Sequence, residues 1–173
     1  MDILNNDLIE YSKINNRYSF VQINGVNFPK DASTFFKKYN EGINDYIWFI
    51  SPYSENWKEM VQELRDPYET LKIAFEQDIL SCGYVPQKFE GYPFEFYPHP
   101  DGLIPWAYSD NGTVFYWKPV LGKWNIVVYG DSFEYYEYDF LTTEFLYKLI
   151  NKEINEMQCF LPKDIFDYGI ICK

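Results

Sequence analysis

The chain has few of the residues on which most enzyme and cofactor sites depend. His99 is its only histidine, so a Ser-His-Asp or Cys-His catalytic arrangement must use it, while Pro98 and Pro100 favour a rigid turn there. No histidine pair is present for the usual zinc site, and the nine glycines form neither a GxGxxG motif nor a P-loop. Two carboxylates that lie close together in the folded chain could still act as an acid and base pair, but the sequence alone does not give the distances between carboxylates. We therefore expect no enzymatic activity, no metal and no cofactor.

Cysteines and long apolar runs are also scarce. The three cysteines, Cys82, Cys159 and Cys172, are odd in number and widely spaced, which argues against a disulfide framework and fits a reducing compartment. No segment approaches the roughly 18 consecutive apolar residues of a membrane helix, and the N-terminus lacks a basic region followed by an apolar run. We expect a cytoplasmic protein that makes no membrane contact.

Basic residues are outnumbered, and aromatic residues are abundant. Fifteen Lys and Arg against 26 Asp and Glu give a net charge of -11. Because this charge repels phosphate backbones, we expect no direct binding of nucleic acid. Such a charge either keeps a protein soluble or steers a basic partner toward it. Aromatic residues make up 21% of the chain, more than a core of this size readily encloses, so some rings should lie at a contact surface.

The chain is predicted to fold as one domain over residues 1–173. At 173 residues it can bury roughly 70% of the surface that the unfolded chain exposes, and it has no internal repeat, low-complexity segment or Gly/Ser linker. Helices are predicted at 5–13, at 32–39 with Asp31 as N-cap and Gly42 as its end, from Ser54, and from Asp66. Strands are predicted at 18–23, with a turn at Asn24–Gly25, and at 46–50, where apolar residues on both faces indicate a strand covered on both sides.

The second half has the pattern of an antiparallel meander. After irregular chain at 83–100, short strands are predicted at 103–108, 114–118, 124–129 and 133–138, separated by glycine-containing turns. A helix with an apolar face follows over 142–152. Together these elements predict an α+β fold with an antiparallel sheet.

Several short motifs occur along the chain in an order that is similar to a known family. They are Phe28-Pro29, the stretch 35–42, Tyr92–Pro98, Gly102–Ala107, Asp110–Trp117, Trp124–Val128, Thr143–Leu146 and Phe160–Pro162. This order closely resembles the SUKH superfamily, best known as bacterial immunity proteins, over residues 28 to 168. Two positions depart from the family pattern: Thr113 stands where an acidic residue is common, and Glu41 where glycine is frequent.

The resemblance implies a fold and a function. The fold would be a curved antiparallel sheet of about five to six strands with helices packed on one side. The function would be to bind and neutralise a partner toxin, often a nuclease or deaminase, by occlusion; the toxin would be basic to match the acidic chain, and the protein a monomer or weak homodimer. The alternative is a regulatory scaffold or ligand-sensing module of the same fold, without a toxin partner.

The segment 131–139 is the strongest candidate for a partner-binding site, because it holds four acids and four aromatic rings in nine residues. Tyrosine and tryptophan are favoured as binding hot spots, and flanking carboxylates can match a basic partner. An edge strand protected by charge would show the same pattern. The predicted partner-binding residues are Asp131, Glu134, Tyr136, Glu137, Tyr138, Asp139 and, on a neighbouring strand, Trp117, which we assign to the surface.

Overall fold

The fold of the chain is α+β, with a six-stranded antiparallel sheet, a two-stranded hairpin, and helices on one face of the larger sheet. The computed structural model describes residues 3–14, 18–64, 94–130, 135–162, 164–167 and 170–172. The larger sheet is open rather than closed into a barrel. The predicted α+β meander with helices on one side is therefore confirmed. The predicted helix from Asp66, most of the irregular chain at 83–100, and Cys82 lie outside the described residues.

The N-terminal part forms a helix, a hairpin and a second helix. These are α1 (Ile3–Ile14), β1 (Phe20–Ile23), β2 (Val26–Pro29) and α2 (Lys30–Phe36). The predicted turn at Asn24–Gly25 is confirmed, since both residues have positive φ angles, of 53° and 82°, and β1 pairs antiparallel with β2 across it. Positive φ at both central residues is typical of the turns that best match the twist of a hairpin.

The larger sheet follows the chain order without a crossover. Its strands are β3 (Gly42–Ile43), β4 (Ile47–Phe49), β5 (Ile104–Ser109), β6 (Val114–Val120), β7 (Lys123–Tyr129) and β8 (Tyr135–Tyr138), and every neighbouring pair is antiparallel. Residues 57–64, helical in the structure, form α3. α4 (Thr142–Ile150) follows β8, and a 3-10 helix occupies Asn155–Cys159. The four strands and the helix predicted from residue 103 onward are confirmed, except that residues 133 and 134 of the last predicted strand lie outside the described residues.

Two predictions about the ends of α2 are wrong. Asp31 lies inside the first turn of its own helix and makes no cap there; instead its buried carboxylate accepts hydrogen bonds from the backbone N (2.8 Å) and Oγ1 (3.2 Å) of Thr143, at the start of α4. Burial raises the pKa of Asp31, and these hydrogen bonds oppose the rise. α2 ends at Phe36, and Gly42 belongs to β3, where a Cβ would lie 2.2 Å from the carbonyl oxygen of Ile47.

The helices cover the face of the sheet that carries the main core. Strand residues such as Phe115, Trp117, Ile126 and Val128 pack there with Phe145 of α4. Trp117 is 0% exposed, its ring stacks on Trp106, and its Nε1 donates to Oγ1 of Thr142 at 3.0 Å. The assignment of Trp117 to the surface is therefore wrong, because the pleat turns Phe115 and Trp117 toward the helices and Val114 and Tyr116 away from them.

The opposite face of the sheet has a smaller apolar cluster. It consists of Leu103, Val114, Tyr116, Val127 and Tyr129, with Phe94, Phe96 and Leu64 packed against it. Toward β4 this covering becomes incomplete: Ile47 and Phe49 are buried, but Trp48 is only half-buried. The prediction that β4 is covered on both sides is therefore wrong at Trp48.

Candidate partner-binding surface

The predicted binding segment falls on the last strand of the sheet. β8 pairs with β7 along one side, with Tyr136 opposite Val128 and Glu137 opposite Val127. On its other side, no strand among the described residues pairs with it. An unpaired edge presents backbone N–H and C=O groups that another chain can use. Asp131 and Glu134, both predicted as binding residues, lie outside the described residues.

On the helix-covered side of β8, two tyrosines pack against the core. The ring of Tyr136 meets Phe160 edge-on, with centroids 5.5 Å apart, yet Tyr136 remains 36% exposed. Tyr138 lies deeper, stacked on Phe140 at 5.9 Å and against Phe145 at 5.5 Å. Tyr138 is thus mainly a packing residue, whereas Tyr136 offers part of its ring to solvent.

On the opposite side of β8, Tyr135 forms the end of an aromatic row. Its ring stacks on Tyr129 at 6.0 Å and meets Phe94 edge-on at 5.0 Å. Tyr135 is 42% exposed, more than any other described tyrosine of the strand. These two neighbours hold the ring in one orientation, so a partner that covered it would lose little side-chain entropy.

The carboxylates of this side already have lysine partners. Lys118 Nζ of β6 donates to Glu137 Oε2 at 2.7 Å, and Asn125 Nδ2 of β7 donates to Glu137 Oε1 at 2.7 Å. Lys123 Nζ donates to Asp139 Oδ1 at 2.7 Å. The two ion pairs hold the carboxylates beside the edge strand and also neutralise part of their charge, so the acidic character of this surface is weaker than the sequence indicates.

The protonation of Glu137 and Tyr138 reflects these surroundings. Burial alone would raise the pKa of Glu137, but the hydrogen bonds from Lys118 and Asn125 outweigh it and hold the pKa below its usual value. The pKa of Tyr138 is raised by burial and, to a smaller extent, by the negative charge of Glu156. Glu137 is therefore ionised and Tyr138 neutral at pH 7, so this surface carries carboxylates and neutral hydroxyls.

The structure thus brings together four residues around the edge strand, which we call the β8 surface: Tyr136 on the helix-covered side, and Tyr135, Glu137 and Asp139 on the opposite side. Tyr135 was absent from the predicted set, and so were the lysines that pair with the two carboxylates. The strand register of the meander predicts both. The two-residue turn Leu121–Gly122 places Lys118 of β6 opposite Asn125 of β7, and therefore close to β8. Alternation along β8 then places Tyr135 and Glu137 on one side, and Asp139, directly after the strand, pairs with Lys123 of β7.

The residues that could support catalysis or bind a metal are few and dispersed within the described part of the chain. His99 lies exposed in a turn, where its Nδ1 accepts a hydrogen bond from the backbone N of Asp101 at 3.4 Å. No group of three or more His, Cys, Asp or Glu side chains among the described residues could hold a metal ion. Nor does any described helix combine the length and the apolar character needed to cross a bilayer.

Comparison with known proteins adds no relative: no family model, curated protein sequence or solved structure matches this chain. The resemblance to the SUKH superfamily, which comes from the order of the motifs in the sequence, therefore stays a prediction.

Proposed function

We propose that this protein is an immunity protein of the SUKH type, which binds a basic toxin domain through the β8 surface and blocks the toxin by occlusion. The observation that carries the proposal is the outer edge of β8, unpaired among the described residues and flanked by the exposed rings of Tyr135 and Tyr136. The protein would act in the cytoplasm, as a monomer or weak homodimer, without turnover or a cofactor.

The chemistry of the β8 surface suits a tight protein contact. Tyrosine rings bury a large apolar area while keeping a hydroxyl for hydrogen bonding, which is why they are common at binding hot spots. The strand edge adds backbone hydrogen bonds, and Glu137 and Asp139, held in place by Lys118 and Lys123, could share their charge with a basic partner. A stable complex buries roughly 1,200–2,000 Å² in total, more than the surface itself supplies, so neighbouring elements would also take part.

A second candidate function is a ligand-sensing module of the same fold. A cavity of about 410 Å³ lies at one end of the sheet, between the β1–β2 hairpin, the turn around His99 and the β6–β7 turn, and Phe20, Tyr97 and Trp124 are among its lining residues. Its size falls in the range of small-molecule sites, roughly 300–1,000 Å³. Binding of a metabolite there, with no toxin neighbour, would favour this function.

The deciding experiment is co-expression with the protein encoded immediately upstream, scored for cell survival and for co-purification. If the neighbour kills cells alone and is rescued and retained, we expect the double variant Tyr136→Ala/Glu137→Ala to weaken the complex by more than about 2 kcal/mol, roughly 30-fold. A matched control, Tyr18→Ala/Glu10→Ala, removes an exposed tyrosine and an exposed glutamate elsewhere and should bind like the native chain. A harmless neighbour that does not bind would refute the immunity function; an intact complex with the β8 variant would refute the site.

A further inference from the structure

A groove near the other edge of the sheet differs from the β8 surface in its chemistry. It has a volume of about 400 Å³ and is formed by β4, β5, the start of α3 and the chain before β3. Trp48 of β4 and Tyr108 of β5, which are paired in register, supply aromatic rings, and Met60 of α3 supplies an apolar side chain. We call it the Trp48 groove.

The tryptophan of the groove is fixed in orientation. Its Nε1 donates a hydrogen bond to Asp110 Oδ1 at 2.8 Å, and Asp110 directly follows the neighbouring strand β5. Trp48 and Tyr108 are both half-buried, so each shows part of its ring to solvent beside the other. A ring held in this way presents its negative face without an ordering cost, which is what a cation requires for a favourable contact.

The groove also carries a carboxylate, that of Glu41. Glu41 is exposed and lines the groove, and no basic side chain pairs with it in the part of the chain that the structure describes. None of the described lining residues is Lys or Arg; Lys37 lies beside the groove, with its Nζ 5.5 Å from the ring of Tyr53, which is one of the lining residues. Glu137 and Asp139 are different, since each is already bonded to a lysine of the same sheet.

We propose that the Trp48 groove binds an arginine side chain of a protein partner. A guanidinium group is planar, weakly hydrated and able to stack on an aromatic face while it donates two parallel hydrogen bonds to one carboxylate. In the groove, Trp48 and Tyr108 would contact the face of the guanidinium, Glu41 would accept from its edge, and Met60 would pack against the aliphatic stem. The net charge of -11 favours the approach of a basic partner.

The ligand class follows from this combination rather than from charge alone. A lysine ammonium is strongly hydrated and lacks a flat face, so it gains less from the two rings and makes no bidentate bond. An uncharged apolar side chain would leave Glu41 unmatched. The inference needs only a basic protein partner and holds whether or not that partner is a toxin.

The test is an NMR titration of the full-length 15N-labelled protein with the peptides Gly-Arg-Gly-Arg-Gly and Gly-Lys-Gly-Lys-Gly, which carry the same charge. We expect the indole N–H resonance of Trp48, assigned with Trp48→Phe, to shift saturably with the arginine peptide, while that of buried Trp117 stays in place. The lysine peptide should bind about threefold more weakly or worse. Glu41→Gln should weaken binding of the arginine peptide by about fivefold.

The matched control is Glu156→Gln, which removes the same charge from an exposed residue near β8. It should leave the titration of Trp48 unchanged. An equal effect of the two glutamine variants would mean general attraction to an acidic protein and would overturn the proposal. So would equal affinity for the two peptides, or no shift at Trp48. The titration contains no toxin, so a negative result would not contradict the proposed immunity function. A negative co-expression experiment, in turn, would not contradict arginine binding in the Trp48 groove.

Discussion

At one edge of the six-stranded sheet the chain supplies its own neighbour, whereas at the other edge the described residues leave the last strand unpaired. Next to β3, Ile43 bridges Cys172, and Asn44 and Ile171 exchange hydrogen bonds: Asn44 N donates to Ile171 O at 2.8 Å, and Ile171 N donates to Asn44 Oδ1 at 2.7 Å. Next to β8 no such segment appears among the described residues. An edge is a site of unwanted pairing unless it is covered or charged.

The two edges therefore use different means of protection. The β3 strand is only two residues long and is covered by the C-terminal residues 170–172, so little backbone is left for another chain. β8 is flanked instead by two ion pairs, Lys118 with Glu137 and Lys123 with Asp139, which put charge beside the edge without covering its backbone. Covering closes an edge to every partner, whereas charge repels most chains and still admits one with complementary charge. This difference is the reason for placing the proposed toxin contact at β8.

The covered edge should be the more sensitive of the two to substitution, and Gly42→Ala should have the largest effect. A Cβ at this position would lie 2.2 Å from Ile47 O, a backbone atom that can move only with β4. We expect a loss of about 3 kcal/mol in the free energy of unfolding, at the upper end of the usual cost of overpacking, measured by urea denaturation. The control is Gly25→Ala, where no atom lies within 4 Å but φ is +82°; strain alone should cost about 1 kcal/mol. Equal losses would show that close approach at β3 is unimportant.

A smaller effect is expected when the cover itself is loosened by Asn44→Ala. The side chain of Asn44 donates to Ile165 O at 2.7 Å and accepts from Ile171 N at 2.7 Å, and its φ is 54°, a region that alanine adopts less readily than asparagine. The lost hydrogen bonds and the backbone strain should together cost about 2 kcal/mol in unfolding free energy. Hydrogen exchange should also show faster exchange of the Ile171 amide.

Asn44→Gly separates these two causes. Glycine accepts a positive φ but makes neither side-chain bond, so this variant should lose about 1 kcal/mol less than alanine does, while exchange at Ile171 is equally fast. If both variants are as stable as the native chain, the C-terminal residues do not hold the β3 edge, and the contrast between the two edges is lost.

The sequence predicted the open edge better than the covered one. The meander from β5 to β8 was predictable because turn residues such as Asn111–Gly112 lie between runs rich in β-branched and aromatic residues. β3 escaped prediction, since a two-residue strand that pairs with β4 and bridges to Cys172 has no local pattern, and Gly42 resembled the end of a helix. Long-range contacts of this kind are not encoded in any short window.

The candidate site was predictable as a segment but not as a set of side chains. Both alternate sets of β6 residues are mainly apolar, so periodicity left open whether Trp117 faces the helices. In the folded chain it does, and its buried indole N–H donates to Thr142, 25 residues later. Similarly, nothing in the sequence indicated that Glu137 and Asp139 are paired, because their lysine partners lie 19 and 16 positions away along the chain. The Trp48 groove joins residues from β4, β5 and α3, which only the folded chain brings together.

The charged edge should respond least to substitution, and its response should depend on pH. Glu137→Gln removes an exposed ion pair with Lys118, so it should lower the unfolding free energy at pH 7 by less than about 1 kcal/mol. Because the folded-state pKa of Glu137 lies below its ordinary value of 4.5, the ionised carboxylate stabilises the fold above that pH, and the stabilisation is lost as the pH falls through the folded-state pKa. Urea denaturation should therefore show a difference between Glu137→Gln and the native chain at pH 7 that disappears in acid below the folded-state pKa. The control is Glu55→Gln, at another exposed glutamate, which should change the unfolding free energy at pH 7 by less than about 0.5 kcal/mol. A Glu137→Gln difference that persists in acid would mean that the side chain acts through packing rather than through charge, and that β8 is not protected by its ion pairs.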